Sequence, residues 1–360
     1  RFLHERRLIP HPAKDMDGFV SRLGKILAEN QYSAVLPMSD GMVYAATQHQ
    51  AELPQNGRIV LAPAEAAAIC KDKLRTLQLA AELGLETSDT FCPDDRSGLA
   101  ALAEELDYPC ILKPRIGAGA VGMSIVSNKA ELLEAYDVLP QADNPAVDFQ
   151  RPLVQRKIDG DVHEVCVLFS HGKARAALSQ RRILMYPATG GFGIYNETTE
   201  EPDLVERAVR LLEELNWHGP AQVEFLREKS TGTPYLLEIN GRFWGTLDLS
   251  IAAGMDFPLL ACRLAIEGDI EPQWTYRAGQ KFRWPLPFAL VHALETGRWG
   301  GAMRDFLWPD RAAASDLSLA DPKPLMMETW WAFRRWQSQG FRILRAGDRW
   351  GALSRGKEKS

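Results

Sequence analysis

The chain has 360 residues, 46% of them apolar and 25% charged, with a formal net charge of −5. That size allows two or three domains with proper cores, and the mildly acidic balance argues against a nucleic-acid binder. No apolar run reaches about 18 residues, so no transmembrane helix is expected, and Arg1–Arg7 lacks the apolar core of a signal peptide. Five scattered cysteines (Cys70, Cys92, Cys110, Cys166, Cys262) form no CxxC pair. They fit small buried thiols in a reducing cytosol, and a cytoplasmic location is expected.

In chain order, Met16–Asn30 has helical periodicity, while Ala34–Met38 and Arg58–Ala62 read as strands. Residues 1–70 are therefore expected to form part of an α/β layer. The chain does not begin with Met and its opening looks like the middle of a domain, so an upstream piece is expected. Lys71–Gly84 reads as one helix: Leu74, Leu77, Ala80 and Ala81 make an apolar stripe, and Gly84 stands where a C-terminal cap belongs. Lys73 lies in its first turn, where the helix dipole disfavours a cation. It is either plain surface or a group that meets a phosphate. A second helix, Ser97–Leu106, leads into the apolar strand Tyr108–Leu112.

That strand ends at Lys113 and runs into a loop of small residues that includes Gly117, Gly119, Ala120, Val121, Gly122 and Met123. The glycines match GxGxxG formally, which raises a dinucleotide-binding reading with NAD(H). That fingerprint needs a helix opening within the glycines. Here Met123–Ser127 reads as a strand, so a hairpin is expected, whose backbone N–H groups can approach a phosphate chain. Asn128 is placed to cap the next helix, with Glu131 at the capping-box position.

Pro140–Pro152 reads as a loop, and Leu153–Ile158 and Val162–Phe169 as strands. A further strand after His171-Gly172 is expected to end near Gln180. Arg181 and Arg182 would then face the loop Tyr186–Asn196, which is either a flap over an anionic ligand or a plain surface loop. Pro202 opens a helix at its favoured first position, with Leu204, Ala208, Leu211, Leu212 and Leu215 in one stripe.

Ala221–Leu226 and Pro234–Ile239 flank a polar turn, Lys229–Gly232, and read as a hairpin. Glu224 lies in the first run. Glu238, Asn240 and Arg242 alternate, which keeps them on one face of an extended chain. Two carboxylates and an amide oxygen in one patch suit Mg²⁺, and an arginine beside them suits a phosphate. The bland alternative, a solvated strand face, stays open for Glu224. It fits Glu238 less well, because a carboxylate within Tyr-Leu-Leu-Glu-Ile-Asn needs a partner or a metal.

Two short helical segments follow, around Gly254 and through Leu259–Ile266. From Glu271 onward the composition shifts, with eight of the ten tryptophans and a basic end. Phe282–Phe288 and Leu325–Leu344 are expected to be a helical extension packed on the body or on a second subunit, with peripheral membrane contact as the alternative. Gly351–Ser360 reads as a disordered tail.

With these residues placed, the chain resembles the ATP-grasp superfamily over Cys70–Ile270. The carriers are Lys-Asp-Lys-Leu-Arg at 71–75, Ile-Leu-Lys-Pro at 111–114 with a glycine loop ending Val-Gly-Met, and Val-Glu-Phe at 223–225 followed by Leu-Leu-Glu-Ile-Asn-Gly-Arg at 236–242. The likeness is to its carboxylate–amine ligase type, the group of D-alanine–D-alanine ligases, biotin carboxylases and carbamoyl-phosphate synthase large-subunit domains. It implies mixed α/β and α+β architecture: a partial Rossmann-like domain at 1–70 and an ATP-grasp domain at 71–270 with a lid lobe near 108–169, while the mostly helical extension expected at 271–360 lies outside the resemblance.

The resemblance also implies roles. Lys73 and Lys113 would meet ATP phosphates, under a loop from Gly117 to Met123. Gln155, Arg156 and Ile158 would line adenine, and the family's usual Glu at the first of these is Gln155 here. His163 or Glu164 would reach the ribose. Glu224, Glu238 and Asn240 would hold Mg²⁺, with Mn²⁺ as a substitute. Arg242 would bind phosphate or the intermediate, and Arg182 would face the substrate. The implied reaction moves the γ-phosphoryl group onto a carboxylate, and an amine or similar nucleophile then displaces phosphate. The alternatives are a kinase or carboxylase-type component, a dehydrogenase built on the glycine motif, and a non-catalytic nucleotide-binding assembly protein. The implied partners are small-molecule substrates and a second copy of the chain.

Overall fold

The computed structural model describes residues 4–54, 58–117, 122–139, 151–186 and 191–285, with 292, 313–316, 321–323, 325–327, 329–330 and 334. Helices α1 (Met16–Glu29) and α2 (Asp40–Gln48) open it. Asp15 and Ser39 cap them by accepting from the N–H groups of Gly18 and Met42. The two strands expected before residue 63 shrink to one parallel bridge, Val35 to Ile59. Leu27, Ala46, Leu53, Ile59 and Leu61 close a small core around it.

The single helix expected at Lys71–Gly84 is two, α3 (Ala64–Lys71) and α4 (Lys73–Glu82). The break is at Asp72, whose backbone leaves the helical region at φ −95°, ψ 102°. Its carboxylate accepts from the N–H of Leu74 at 3.1 Å and from Arg115 Nε at 2.8 Å. One acid thus starts α4 and ties it to the root of the glycine loop.

A four-stranded antiparallel sheet follows, from β1 (Thr90–Phe91), β2 (Cys110–Lys113), β3 (Ser124–Val126) and β4 (Leu153–Arg156), in the order β1-β4-β2-β3. Helices α5 (Arg96–Leu102) and α6 (Lys129–Asp137) cover it through Leu99, Leu112, Val126, Leu132 and Val154. The α6 capping box forms: Asn128 Oδ1 accepts from Glu131 N at 3.0 Å, and Glu131 accepts from Ser127 N at 2.8 Å. Ile111 stands opposite Ile125, so the glycine loop joins two antiparallel strands. The dinucleotide reading fails here, because the described residues after the loop, from Ser124, form an antiparallel strand where that fingerprint needs a helix.

The larger sheet has seven strands: β5 (Gly160–Ser170), β6 (Lys173–Tyr186), β7 (Phe192–Thr199), β8 (Gly219–Glu228), β9 (Pro234–Asn240), β10 (Lys281–Arg283) and β11 (Ala313–Ser315), ordered β11-β10-β7-β6-β5-β8-β9. Helix α7 (Pro202–Glu214) covers one face, packing Leu204, Ala208, Leu211 and Leu212 with Val165, Val167, Phe169, Val223 and Phe225. On the other face, α8 (Leu247–Ala252) and α9 (Phe257–Glu267) follow β9. Cys166, Leu168, Ala176 and Leu178 meet Phe243, Trp244 and Phe257 there. Each large side chain buried this way contributes about 1.5–3 kcal/mol.

Three expectations change. The lid lobe does not run over 108–169: its strands lie within 90–156, and β5 belongs to the larger sheet because it pairs with β6 and β8. Strand β6 does not stop at Gln180, since β7 pairs with it as far as Tyr186 and takes much of the expected loop. Phe282 is on a strand, because the open edge of β7 offers backbone partners to β10. Residues 323, 325–327, 329–330 and 334 are helical. The rest of Leu325–Leu344 and the Gly351–Ser360 tail lie outside the described residues, as do Gly119, Ala120 and Val121. Among the described residues no helix is long and apolar enough to cross a membrane.

Candidate active site

Residues directly opposite in an antiparallel ladder share a face. The register sets Gln180 opposite Glu164, Glu164 opposite Glu224 and Glu224 opposite Glu238. One polar row therefore crosses β6, β5, β8 and β9, continuing the face that carries Cys166 and Leu168. Glu164 is 1% exposed and Glu224 8%. The solvated-face reading of Glu224 is wrong.

Arg182 neutralises the middle of the row. Its Nε donates to Glu164 at 2.6 Å, its Nη2 lies 2.6 Å from Glu224 and its Nη1 donates to the carbonyl of Gly191 at 2.8 Å. Burial disfavours its charge, but Glu164 and Glu224 outweigh that and raise its pKa. These partners make Arg182 the group that positions the two carboxylates.

Two lysines close the β9 end. Lys73 Nζ is 3.3 Å from Glu238 and donates to the carbonyl of Gly117. Glu238 thus offsets the unfavourable helix-dipole position of this cation. Burial, with Lys73 as a like charge, lowers Lys113 to about 8, against the pull of Glu238 and Glu224. Burial also works to raise Glu238, but Lys73 and Lys113 prevail and hold it below the usual carboxylate range. Glu224 goes the other way. Burial lifts it to about 7 despite Arg182, with Glu238 and Glu164 adding to the rise.

Asn240 Nδ2 donates to Glu224 at 3.0 Å and to Gln222 at 3.3 Å. Among the described residues no group of three or more His, Cys, Asp or Glu side chains forms a metal cage. Two carboxylates and an amide suit Mg²⁺ of the kind that takes its remaining ligands from substrate phosphates and water. The residues fit the ion.

Other expected residues fall in four places. Gln155 is buried on β4 and donates to Thr90 Oγ1 at 2.8 Å. Arg156 pairs with Asp89 at 3.3 Å, and Ile158 is buried at the crossover between the two sheets. Gly122, with φ +74°, needs glycine's freedom, and Met123 leads into β3. His163 points to the opposite face, where Nδ1 is 2.7 Å from Glu201 and the ring lines an open cavity of about 540 Å³. Of the two ribose candidates, only Glu164 shares the site face, since consecutive strand residues point to opposite sides. Arg242 Nε donates to Asp40 at 2.8 Å, linking the site to the N-terminal helices.

Sequence reasoning missed Gln180, Gln222, Thr246 and the Asp72–Arg115 pair. Gln180 and Arg182 alternate along β6, which is a usable signal once the strand is known to continue.

The comparisons agree with this geometry. Residues 72–172 match the carbamoyl-phosphate synthase L chain ATP-binding domain, and residues 148–284 match the family described as ATP-grasp in the biosynthetic pathway with Ter operon. A D-alanine–D-alanine ligase of Thermoanaerobacter sp. (strain X514) is 27% identical over 212 residues, 52% of this chain and 55% of the relative. A formate-dependent phosphoribosylglycinamide formyltransferase of Erwinia tasmaniensis is 30% identical over 132 residues, 36% of this chain and 32% of the relative. The chain thus spans about half the length of the ligase it matches.

Among solved structures, a biotin carboxylase from Campylobacter jejuni superposes with TM-score 0.62 at 18% identity, covering 75% of this chain and 63% of the other. An L-amino acid ligase from Bacillus licheniformis gives 0.55 at 20% identity, covering 72% and 65%. These likenesses concern the fold. Two adjoining family matches, the paired sheets and the motif order lead to one assignment: residues 72–284 of this chain belong to the ATP-grasp superfamily.

Proposed function

We propose that the chain is an ATP-dependent ligase that activates a carboxylate as an acyl phosphate and passes it to an amine or similar nucleophile, releasing ADP and phosphate. The observation that carries this reading is the Glu164–Glu224–Glu238 row, buried at its first two members and half-buried at Glu238, with Lys73 and Lys113 at its end.

A carboxylate is a poor electrophile, and phosphorylation gives it a leaving group. Lys73 and Lys113 bind the phosphates, and the loop from Gly117 to Met123 covers them with backbone N–H groups. Gln155, Arg156 and Ile158, at the crossover between the sheets, line the adenine, and Glu164 stands toward the ribose. Glu224, Glu238 and Asn240 would hold Mg²⁺, which when bound neutralises charge on the transferring phosphoryl group. Arg182 keeps Glu164 and Glu224 in place. Arg242 exchanges Asp40 for phosphate or the acyl phosphate, and closure of the lobes keeps water from that intermediate. The N-terminal helices belong in this reading to a domain preceding the ATP-grasp unit.

Thermal unfolding with Mg²⁺-ATP is the test. A ligand at a hundred times its dissociation constant stabilises the fold by about 2.7 kcal/mol. That gain should appear in the wild type and vanish in Glu238→Ala. Hydroxylamine with a carboxylate panel should then trap the acyl phosphate as a hydroxamate. Full Mg²⁺-ATP turnover by Glu238→Ala sinks the site assignment. A stable phosphorylated or carboxylated product moves the reading to a kinase or a carboxylase.

A further inference from the structure

Asn240 and Arg242 flank Gly241, which follows the last residue of β9. The Asn240 carbonyl accepts from Arg242 N at 2.9 Å, so the three residues close a tight turn. That turn carries one proposed Mg²⁺ ligand and one proposed phosphate ligand. Gly241 does not take a positive φ, so its backbone conformation does not call for glycine. Space does. An added Cβ would stand 2.8 Å from Trp217 Cη2, 3.1 Å from Trp217 Cζ2 and 3.4 Å from Cys70 Sγ.

Both neighbours are held in place. Trp217 is 1% exposed and packs in the core between α7 and the large sheet. Its backbone donates to the Leu212 carbonyl at 3.0 Å and accepts from Gly172 N at 2.8 Å. Cys70, near the end of α3, is buried and donates its thiol to the Ile239 carbonyl at 3.0 Å. It thereby ties the start of α4, with Lys73, to the end of β9. Trp217 Nε1 has no hydrogen-bond partner among the described residues. A buried N–H without a partner is destabilising, and a phenylalanine would fill much of this space without one. What the indole adds is reach. Cζ2 and Cη2, the atoms that meet Gly241, belong to its outer ring.

We infer that Trp217 is a positioning residue for the proposed Mg²⁺ site: its outer ring, with the Cys70 thiol beside it, is the seat on which the Asn240–Gly241–Arg242 turn rests. The inference rests on the ligase reading and goes beyond it. The seat fixes where Asn240 stands beside Glu224, at 3.0 Å, and Glu238, at 3.4 Å. It also fixes how far Arg242 stands from them. Trp217 and Cys70 pack with Val165, Val223 and Ile239, the strand neighbours of Glu164, Glu224 and Glu238. Alternation therefore puts the seat on the face opposite the carboxylate row, so it acts only through the turn it supports.

The test is a Mg²⁺ titration at saturating AMP-PNP, a non-hydrolysable analogue, read as the Mg²⁺ concentration that gives half the maximal rise in Tm. Gly241→Ala drives a methyl group into the ring, and Trp217→Phe takes the outer ring away. Each should raise that concentration about tenfold. In the double variant the methyl group fills the space the ring vacates, and the value should return to within about threefold of the wild type. A role in packing alone would lower the ligand-free Tm and leave the Mg²⁺ value unchanged. That result for either single variant, or a double variant no better than Gly241→Ala, overturns the inference and leaves the ligase reading standing. If Gly241→Ala does not fold, the double variant decides: a folded protein with a restored Mg²⁺ value upholds the seat, and failure to fold overturns it. Absence of the Mg²⁺-nucleotide rise in the wild type removes the ligase reading, and this inference with it.

Discussion

Arg181 and Arg182 occupy consecutive positions of β6 and look into opposite faces of the large sheet. Arg181 is half exposed and meets Glu197 at 2.8 Å, while Arg182 is 9% exposed and holds Glu164 and Glu224 out of contact with water. The same split separates His163, paired with Glu201, from Glu164 on the next residue. On the first face, Arg181 reaches solvent, while His163 and Glu201 form a close pair of neighbouring groups beside an open cavity. On the second, the charges are fixed in a low-dielectric setting, where a carboxylate row can hold cations and phosphates in register. The order of residues is the same kind of pattern on both faces; the environment makes one of them a site.

Three substitutions probe that comparison. Arg182→Ala leaves two buried carboxylates without their cation and should cost about 3–5 kcal/mol, read as a lower midpoint in urea unfolding. A cost under about 1 kcal/mol would show that water reaches this face. Glu201→Gln comes next. His163 and Arg227, against the opposing effect of burial, hold Glu201 down at about 2. A carboxylate with a depressed folded pKa adds stability that is complete above its ordinary value near 4.5 and fades as pH falls toward 2. The wild type should therefore lose about 1–3 kcal/mol across that window, and Glu201→Gln should flatten the acid profile there. Arg181→Ala should matter least, at about 0–1 kcal/mol, and any loss should shrink further in high salt. If it matched Arg182→Ala, the distinction between the faces would collapse.

Much of the scaffold was legible in the chain. The α6 capping box, the proline at the start of α7, the glycine loop as a hairpin and the β8–β9 hairpin all rest on short-range chemistry, within a dozen or so residues. The strands near Val35 and Ile59 were overread, because an apolar run becomes a strand only if a partner pairs with it. The break at Asp72 was missed although its capping bonds to the Leu74 and Arg75 N–H groups are local; only its anchor, Arg115, lies far along the chain. Phe282 followed the same rule: the free edge of β7, not its own apolar pattern, made it a strand.

The candidate site divides the same way. Glu238, Asn240 and Arg242 were readable as one face because alternation along an extended strand is local. Lys73 and Lys113 entered through their motifs, yet their shared partner, Glu238, is supplied by a distant strand. The sequence alone determined which short segments could carry charge in a regular spacing. Only the tertiary structure decided that Glu164, Arg182, Glu224 and Glu238 lie in one row on one face while His163 and Arg181 are left out. That choice depends on strand register, and register is settled only when segments far apart in the chain pair and bury their apolar faces together.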